Sequence, residues 1–217
     1  MMKDVLVYLV TDSRLTLGRS VEFIVEEACK SGVSMVQFRD KEMDDMEFVR
    51  LGKRLREITK YYDIPLILND RVHLVKEIEA DGVHLGQEDL SINEARKLIG
   101  YDKIIGVSVS NIEEANNAIR DGADYIGISG IFKTDTKKDA KYIGIEGLKR
   151  IAENVGGKIL KIGIGGIKPE NAKDVIIAGA DGVAVVTAIT MAENIEEAVR
   201  RLKEAVIEGR KERKNER

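Results

Sequence analysis

Cysteine, proline, tryptophan and histidine are nearly missing from this chain. Its 217 residues include one cysteine, Cys29, with two prolines, two histidines and no tryptophan. A lone cysteine cannot close an internal disulfide, so no disulfide scaffold supports the fold, and a reducing cytoplasmic setting is expected. The two histidines, His73 and His84, form no Cys–His or His-x-x-His spacing, which excludes the usual zinc frameworks. Too few prolines remain for a Pro-rich interdomain linker. No apolar run approaches the ~20 residues that span a bilayer. The run within the opening MMKDVLVYLVTDSR is too short for the core of a signal peptide and reads as a strand. No G-x-S-x-G elbow or Walker loop occurs. A net charge of −3 offers no electrostatic footprint for nucleic acid. The expected partners are therefore small molecules, with neither nucleic acid nor membrane, while a homo-oligomer stays compatible with the sequence.

What is present is 43% hydrophobic and 34% charged residues, a balance that supports a folded core. Short apolar runs alternate with amphipathic ones along the whole chain. Candidate strands fall at 5–11, 35–40, 65–70, 82–86, 103–109, 125–130, 160–166 and 182–187. Most are unbroken apolar stretches, as parallel strands covered on both faces require. Helical-period runs such as SVEFIVEEACKSG and NIEEANNAIRDGA lie between them. This pattern predicts a single-domain α/β fold over 1–217, a (β/α)8 TIM barrel somewhat below the roughly 250 residues typical of the class. A doubly wound open sheet is the competing architecture. The phrases EADGVHLG, DGADYIGISG and AGADGVAVVT form a weak repeat, each joining a helix end to a strand. Asp81, Asp124 and Asp181 then stand at the bottom of the barrel and read as structural. The last helix is expected to end near Gly209, leaving 210–217 as a frayed basic tail.

Barrel chemistry sits at the C-terminal strand ends, which narrows the search. Strand 2 ends in QFRDK, and its period of two sends Gln37, Arg39 and Lys41 to one side. Two cations on one rim suit a polyanion such as diphosphate, although a solvated ion pair with Asp40 or Glu42 competes. Asn69 and Asp70 end strand 3, beside the loop carrying Asp89. Their two carboxylates suit one shared magnesium ion, which completes its shell with phosphate and water. Helix N-caps are the competing roles for Asp70, Asp89 and Ser91. Gly165, Gly166 and Thr187, after strands 7 and 8, suit the phosphate site that barrels often carry there. The polar loop KTDTKKDAKY after strand 6 offers Thr134, Thr136 and Lys137 and reads either as a lid or as surface loop. His84 is expected to be a satisfied core histidine, and His73 to lie on an exposed or half-buried helix face.

The phrases VYLVTD, VQFRDK, LILNDR, ADGVHLGQED, IGVSVSN, GADYIGISGIFKTDTKK, IGIGGI and AGADGVAVVTAI, in this order, resemble the thiamine phosphate synthase family over nearly the whole chain. The resemblance implies condensation of hydroxymethylpyrimidine diphosphate with a thiazole phosphate to give thiamine phosphate and diphosphate. It implies pyrimidine-diphosphate binding by Gln37, Phe38, Arg39, Asp40, Lys41, Asn69, Ser108 and Lys137, with Arg39, Lys41 and Lys137 catalytic. It further implies Mg2+ on Asp70 and Asp89, and thiazole-phosphate binding by Thr134, Asp135, Thr136, Gly166, Val186 and Thr187. Lys133 stands where the family usually has proline, and Thr187 where it commonly has serine. The competing functions are a thiazole tautomerase-like barrel, another phosphate-handling isomerase and a non-enzymatic phosphate-binding barrel. A tautomerase is expected to place a histidine near the strand 6 rim, which here reads ISGIF.

Overall fold

A computed structural model describes residues 4–134 and 141–215. Eight parallel strands close into a barrel in sequence order. They are β1 Val7–Val10, β2 Met35–Phe38, β3 Leu66–Asn69, β4 Gly82–Leu85, β5 Ile104–Val109, β6 Tyr125–Ile128, β7 Leu160–Ile164 and β8 Gly182–Val185. Closure is made by β8 on β1, with Val7 opposite Val183 and Leu9 opposite Val185. The helices are α1 Val21–Lys30, α2 Asp45–Tyr61, α3 Val75–Ile78, α4 Ile92–Ile99, α5 Ile112–Arg120, α6 Gly144–Val155, α7 Pro169–Ile177, α8 Thr187–Thr190 and α9 Ile195–Asn215.

Two cores explain the unbroken apolar strands. Outward residues such as Leu9, Val36, Leu68, Val83, Ile126 and Val183 pack under the helices in the larger one. Inward residues, including Tyr8, Met35, Ile67, Tyr125, Ile162 and Ala184, fill the barrel itself. Neither strand face meets water, so alternation never appears in the sequence. The helices start where polar caps permit. Ser20 accepts from the Phe23 amide, Asp44 from Glu47 and Asn111 from Glu114, while Ser91 and Glu94 form a reciprocal capping box.

The bottom of the barrel carries a fourfold device. The residue before each even-numbered strand accepts, through its side chain, a backbone N–H from the preceding odd-numbered strand or from the residue just before that strand. Asp81 accepts from Leu66 at 2.8 Å, Asp124 from Ile105 at 2.8 Å and Asp181 from Lys161 at 3.0 Å. Ser34 does the same for Leu6 at 3.0 Å. The three aspartates return the bond, their amides donating to the carbonyls of those same residues. Cations neutralise them: Arg56 on Asp81, Arg96 on Asp124, and Lys161 with Arg213 on Asp181. A cavity of about 260 Å³ lies at this end among Val5, Ser34, Arg56 and Asp81, far from the strand ends where barrel chemistry takes place.

The chain end departs from the expectation of a frayed tail. Helix α9 continues past Gly209 to Asn215. Arg210 donates to Asp4 at 2.7 Å and to the carbonyls of Val5 and Asp181, and Arg213 reaches the carbonyls of Ile176 and Ala180. Charge alone suggested solvation, whereas the arginines find acceptors under the barrel. Chemistry therefore has the other end to itself.

Candidate active site

A cavity of about 460 Å³ opens at the C-terminal strand ends. Gln37, Arg39, Lys41, Asn69, Asp70, Asp89, Ser108, Thr134, Gly166, Val186 and Thr187 all line it. Strand register accounts for this convergence. Gln37, Asn69 and Ser108 occupy inward positions on β2, β3 and β5, and the others lie on the loops just beyond.

Phe38 and Asp40, inside the same 37–41 segment, do not line the cavity. Their side chains take the opposite face in the period of two. Phe38 stacks on Phe48 at 3.9 Å between centroids, under the helical layer. Asp40 accepts from the Ser13 hydroxyl and from the Glu42 and Met43 amides, so it ties down the loop after β2. Asp135, Thr136 and Lys137 lie outside the described residues. Both roots of their loop are fastened at one point, because the Ile143 and Gly144 amides both donate to the Gly130 carbonyl.

Arg39 is 12% exposed and donates to the Asp12 carboxylate at 2.8 Å. The same carboxylate receives Arg14 through Nε and NH2. Burial works against the charged form of Asp12, yet the hydrogen bonds and charges of Arg14, with the charge of Arg39, hold its carboxyl below the usual range. Asp12 thus orients the guanidinium that faces the cavity. It sits in the VTD phrase at the end of β1, and inspection of that strand end was the available signal for it.

Asp70 and Asp89 are close enough to hydrogen-bond each other. Burial first, then that bond and the negative charge of Asp89, push the Asp70 carboxyl up to about 6, while the Lys41 ammonium pulls the other way. Asp70 adopts a left-handed backbone at φ 61°. Its amide donates to the His84 carbonyl, and its own carbonyl accepts from Val72. No helix-capping bond from Asp70 is needed for the 3-10 turn Val72–Leu74, and Ser91 rather than Asp89 caps α4. Asp89 also accepts the Gly86 amide at 2.6 Å. No cluster of three or more metal-ligating His, Cys, Asp or Glu occurs among the described residues. Two mutually repelling carboxylates fit a hard divalent cation that takes its remaining ligands from water and phosphate.

Across the mouth, Gly165 and Gly166 turn the chain at φ 112° and 63°. A Cβ at Gly166 would stand 2.7 Å from the Lys133 carbonyl oxygen, so no side chain fits between these loops. Thr187 opens α8, and the first amides of such a turn have no partner within it. This is the phosphate position of many barrels.

The floor of the cavity holds residues that the sequence did not assign to the site, among them His84, which is the satisfied core histidine expected. His84, 8% exposed, touches the Tyr125 hydroxyl through Nδ1 at 2.9 Å and Ser108 Oγ through Nε2 at 2.8 Å. Tyr8 and Lys141 also reach the cavity. His73 is exposed and pairs with Asp45, as a surface histidine does.

A closed barrel with cationic, carboxylate and glycine-rich rims around one mouth defines a phosphate-handling (β/α)8-barrel enzyme. The chain belongs to the thiamine monophosphate synthase family, whose family model matches residues 7–189. It is 47% identical over 197 residues to the thiamine-phosphate synthase of Clostridium acetobutylicum, covering 91% of this chain and 92% of that one. The thiamine phosphate pyrophosphorylase of Pyrococcus furiosus superposes with a TM-score of 0.87 at 38% identity, covering 95% of this chain and 98% of that chain. Orotidine 5'-phosphate decarboxylase from Pyrococcus horikoshii shares the fold alone, at 16% identity and a TM-score of 0.68 over 92% of this chain and 99% of that one.

Proposed function

We infer that this chain is a transferase that makes thiamine phosphate by joining hydroxymethylpyrimidine diphosphate to a thiazole phosphate. One observation supports the reading: Arg39 and Lys41 on one rim and Gly166 and Thr187 on the other line a single cavity. The pyrimidine diphosphate is assigned to the β2–β5 side, against Arg39, Lys41, Asn69 and Ser108. The thiazole phosphate is assigned to Gly166, Val186 and Thr187.

In the reaction, the bond between the pyrimidine methylene carbon and the diphosphate oxygen breaks, and its electron pair leaves with diphosphate. The lone pair of the thiazole nitrogen then forms the new carbon–nitrogen bond. No proton has to be removed, so the site needs charge neutralisation and positioning more than a general base. Arg39, aligned by Asp12, and Lys41 stabilise the departing charge. Asp70 and Asp89 would hold magnesium, which supplies further positive charge to the diphosphate. The anchored phosphate holds the thiazole nitrogen over the reacting carbon. Cys29 is buried and burial pushes its thiol up to about 12, in keeping with an inert core cysteine and a cytoplasmic enzyme. Among the described residues no helix is long and apolar enough to cross a membrane.

The test is direct. Incubation of both substrates with magnesium should yield thiamine phosphate and diphosphate in equal amounts. Isomerisation of the thiazole phosphate alone, or binding without turnover, would overturn the assignment.

A further inference from the structure

A chain of hydrogen bonds crosses the barrel interior beneath the cavity. The Gln37 amide nitrogen donates to the Tyr8 hydroxyl at 2.8 Å. The Tyr8 and Tyr125 hydroxyls are 2.9 Å apart. Tyr125 is 2.9 Å from His84 Nδ1, and His84 Nε2 is 2.8 Å from Ser108 Oγ. Five strands, β2, β1, β6, β4 and β5, each contribute one member. Tyr8 is 1% exposed and Tyr125 fully buried, and burial pushes both phenols well above their ordinary range. Each hydroxyl therefore keeps one proton to give.

With the Gln37 amide as donor of the first link, one proton order gives every member of the chain a partner. An amide N–H only donates, so the Tyr8 oxygen accepts there and the Tyr8 proton goes to Tyr125. Tyr125, already accepting from Tyr8, passes its own proton to Nδ1. A neutral imidazole that accepts at Nδ1 carries its hydrogen on Nε2. That hydrogen goes to Ser108 Oγ. The serine has then accepted, and its own hydrogen is directed elsewhere, toward the cavity it lines.

Two glycines make room for this path. A Cβ on Gly106, paired with Tyr125 in the sheet, would lie 1.9 Å from Cζ of the Tyr125 ring. One on Gly127 would come within 3.1 Å of His84 Cε1. Any side chain at Gly106 would displace the middle of the chain.

We propose that Tyr8, Tyr125 and His84 are positioning residues that fix the Ser108 hydroxyl as a hydrogen-bond donor toward an uncharged acceptor, such as a ring nitrogen of the heteroaromatic substrate. A substrate presenting a donor at that point is disfavoured, because the proton order cannot reverse while the Gln37 amide N–H heads the chain. The substrate clause rests on the pyrimidine diphosphate occupying the β2–β5 side. The proton order does not.

Nitrogen-15 spectra of the ligand-free protein, recorded where histidine is neutral, read the order without any turnover. His73→Gln assigns the second histidine. His84 should show a protonated Nε2 and an unprotonated Nδ1, and Tyr125→Phe should erase that preference. The same variant should raise the KM for the pyrimidine diphosphate about threefold to tenfold and leave the thiazole phosphate KM unchanged. A purely structural role would lower stability without moving the tautomer or splitting the two KM values. A wild-type His84 protonated on Nδ1 overturns the proposal by itself, even if Tyr125→Phe does not fold. An Nε2–H spectrum in a protein that forms no thiamine phosphate would uphold the proton order and overturn the functional reading alone.

Discussion

Asp70 shows how a residue proposed to hold a cation can weigh against the fold that carries it. Its carboxyl is raised from 3.8 to about 6 by burial and by Asp89. A raised carboxyl favours the protonated folded state, so its contribution to stability is full below the ordinary value and is lost as pH rises through about 6. Near neutrality the ligand-free protein therefore carries a repulsion that Lys41 offsets only in part. Asp89→Asn should remove it while keeping an acceptor for the Gly86 amide. We expect Tm at pH 7 to rise by roughly 2–4 °C, the equivalent of about 1 kcal/mol in a chain of this size after allowing for solvent screening. Synthesis of thiamine phosphate should fall at least a hundredfold at limiting magnesium. A lower Tm, or retained activity, would remove the shared-cation assignment. At this scale the sequence was legible wherever strand period decided orientation. Gln37, Arg39 and Lys41 follow from it, and Phe38 and Asp40 fall on the other face for the same reason. His84 was not legible as part of the site, because its meaning depends on Tyr8 and Tyr125 meeting from distant strands. The available signal was two tyrosines in strands otherwise aliphatic, one of them opposite a glycine.

Strands and their connections were read more readily, since parallel strands buried on both faces leave unbroken apolar runs. Their ends were drawn a residue or two too long, as at 5–11 against Val7–Val10, because the rim positions stay apolar or carry site residues. The helix-to-strand repeat was likewise visible, but the serine member was not, since Ser34 shares geometry with Asp81, Asp124 and Asp181 without sharing chemistry. The aspartates should matter for stability and not for catalysis. Asp124→Ala strands the Ile105 amide and leaves Arg96, only 9% exposed, without its carboxylate. An unmet buried donor costs about 1–3 kcal/mol, and loss of a largely buried charge partner adds to it. We expect a loss of about 2–4 kcal/mol in urea unfolding with both KM values unchanged. Asp124→Asn should lose less, because its amide oxygen can still accept from Ile105. A rise in either KM would contradict the separation of stability below from chemistry above.

For the whole molecule, closure of the barrel depends on the last helix. Arg210 reaches Asp4 and Val5 on one side and Asp181 on the other, bridging the seam between β8 and β1. Composition showed only a basic tail, because the carbonyl acceptors are created by folding. Arg210→Ala should cost about 1–2 kcal/mol, measured as a Tm drop of roughly 2–8 °C, and an unchanged Tm would return the tail to solvent. The clasps below the barrel have a kinetic counterpart. They join β1 to β2, β3 to β4, β5 to β6 and β7 to β8, leaving the intervening seams without this side-chain lock. Native-state hydrogen exchange should accordingly find the Leu66, Ile105 and Lys161 amides among the slowest, each rising and falling with its clasped neighbour. On this account the barrel parts in doublets rather than strand by strand, and each doublet delivers one half-formed rim of the cavity when it docks.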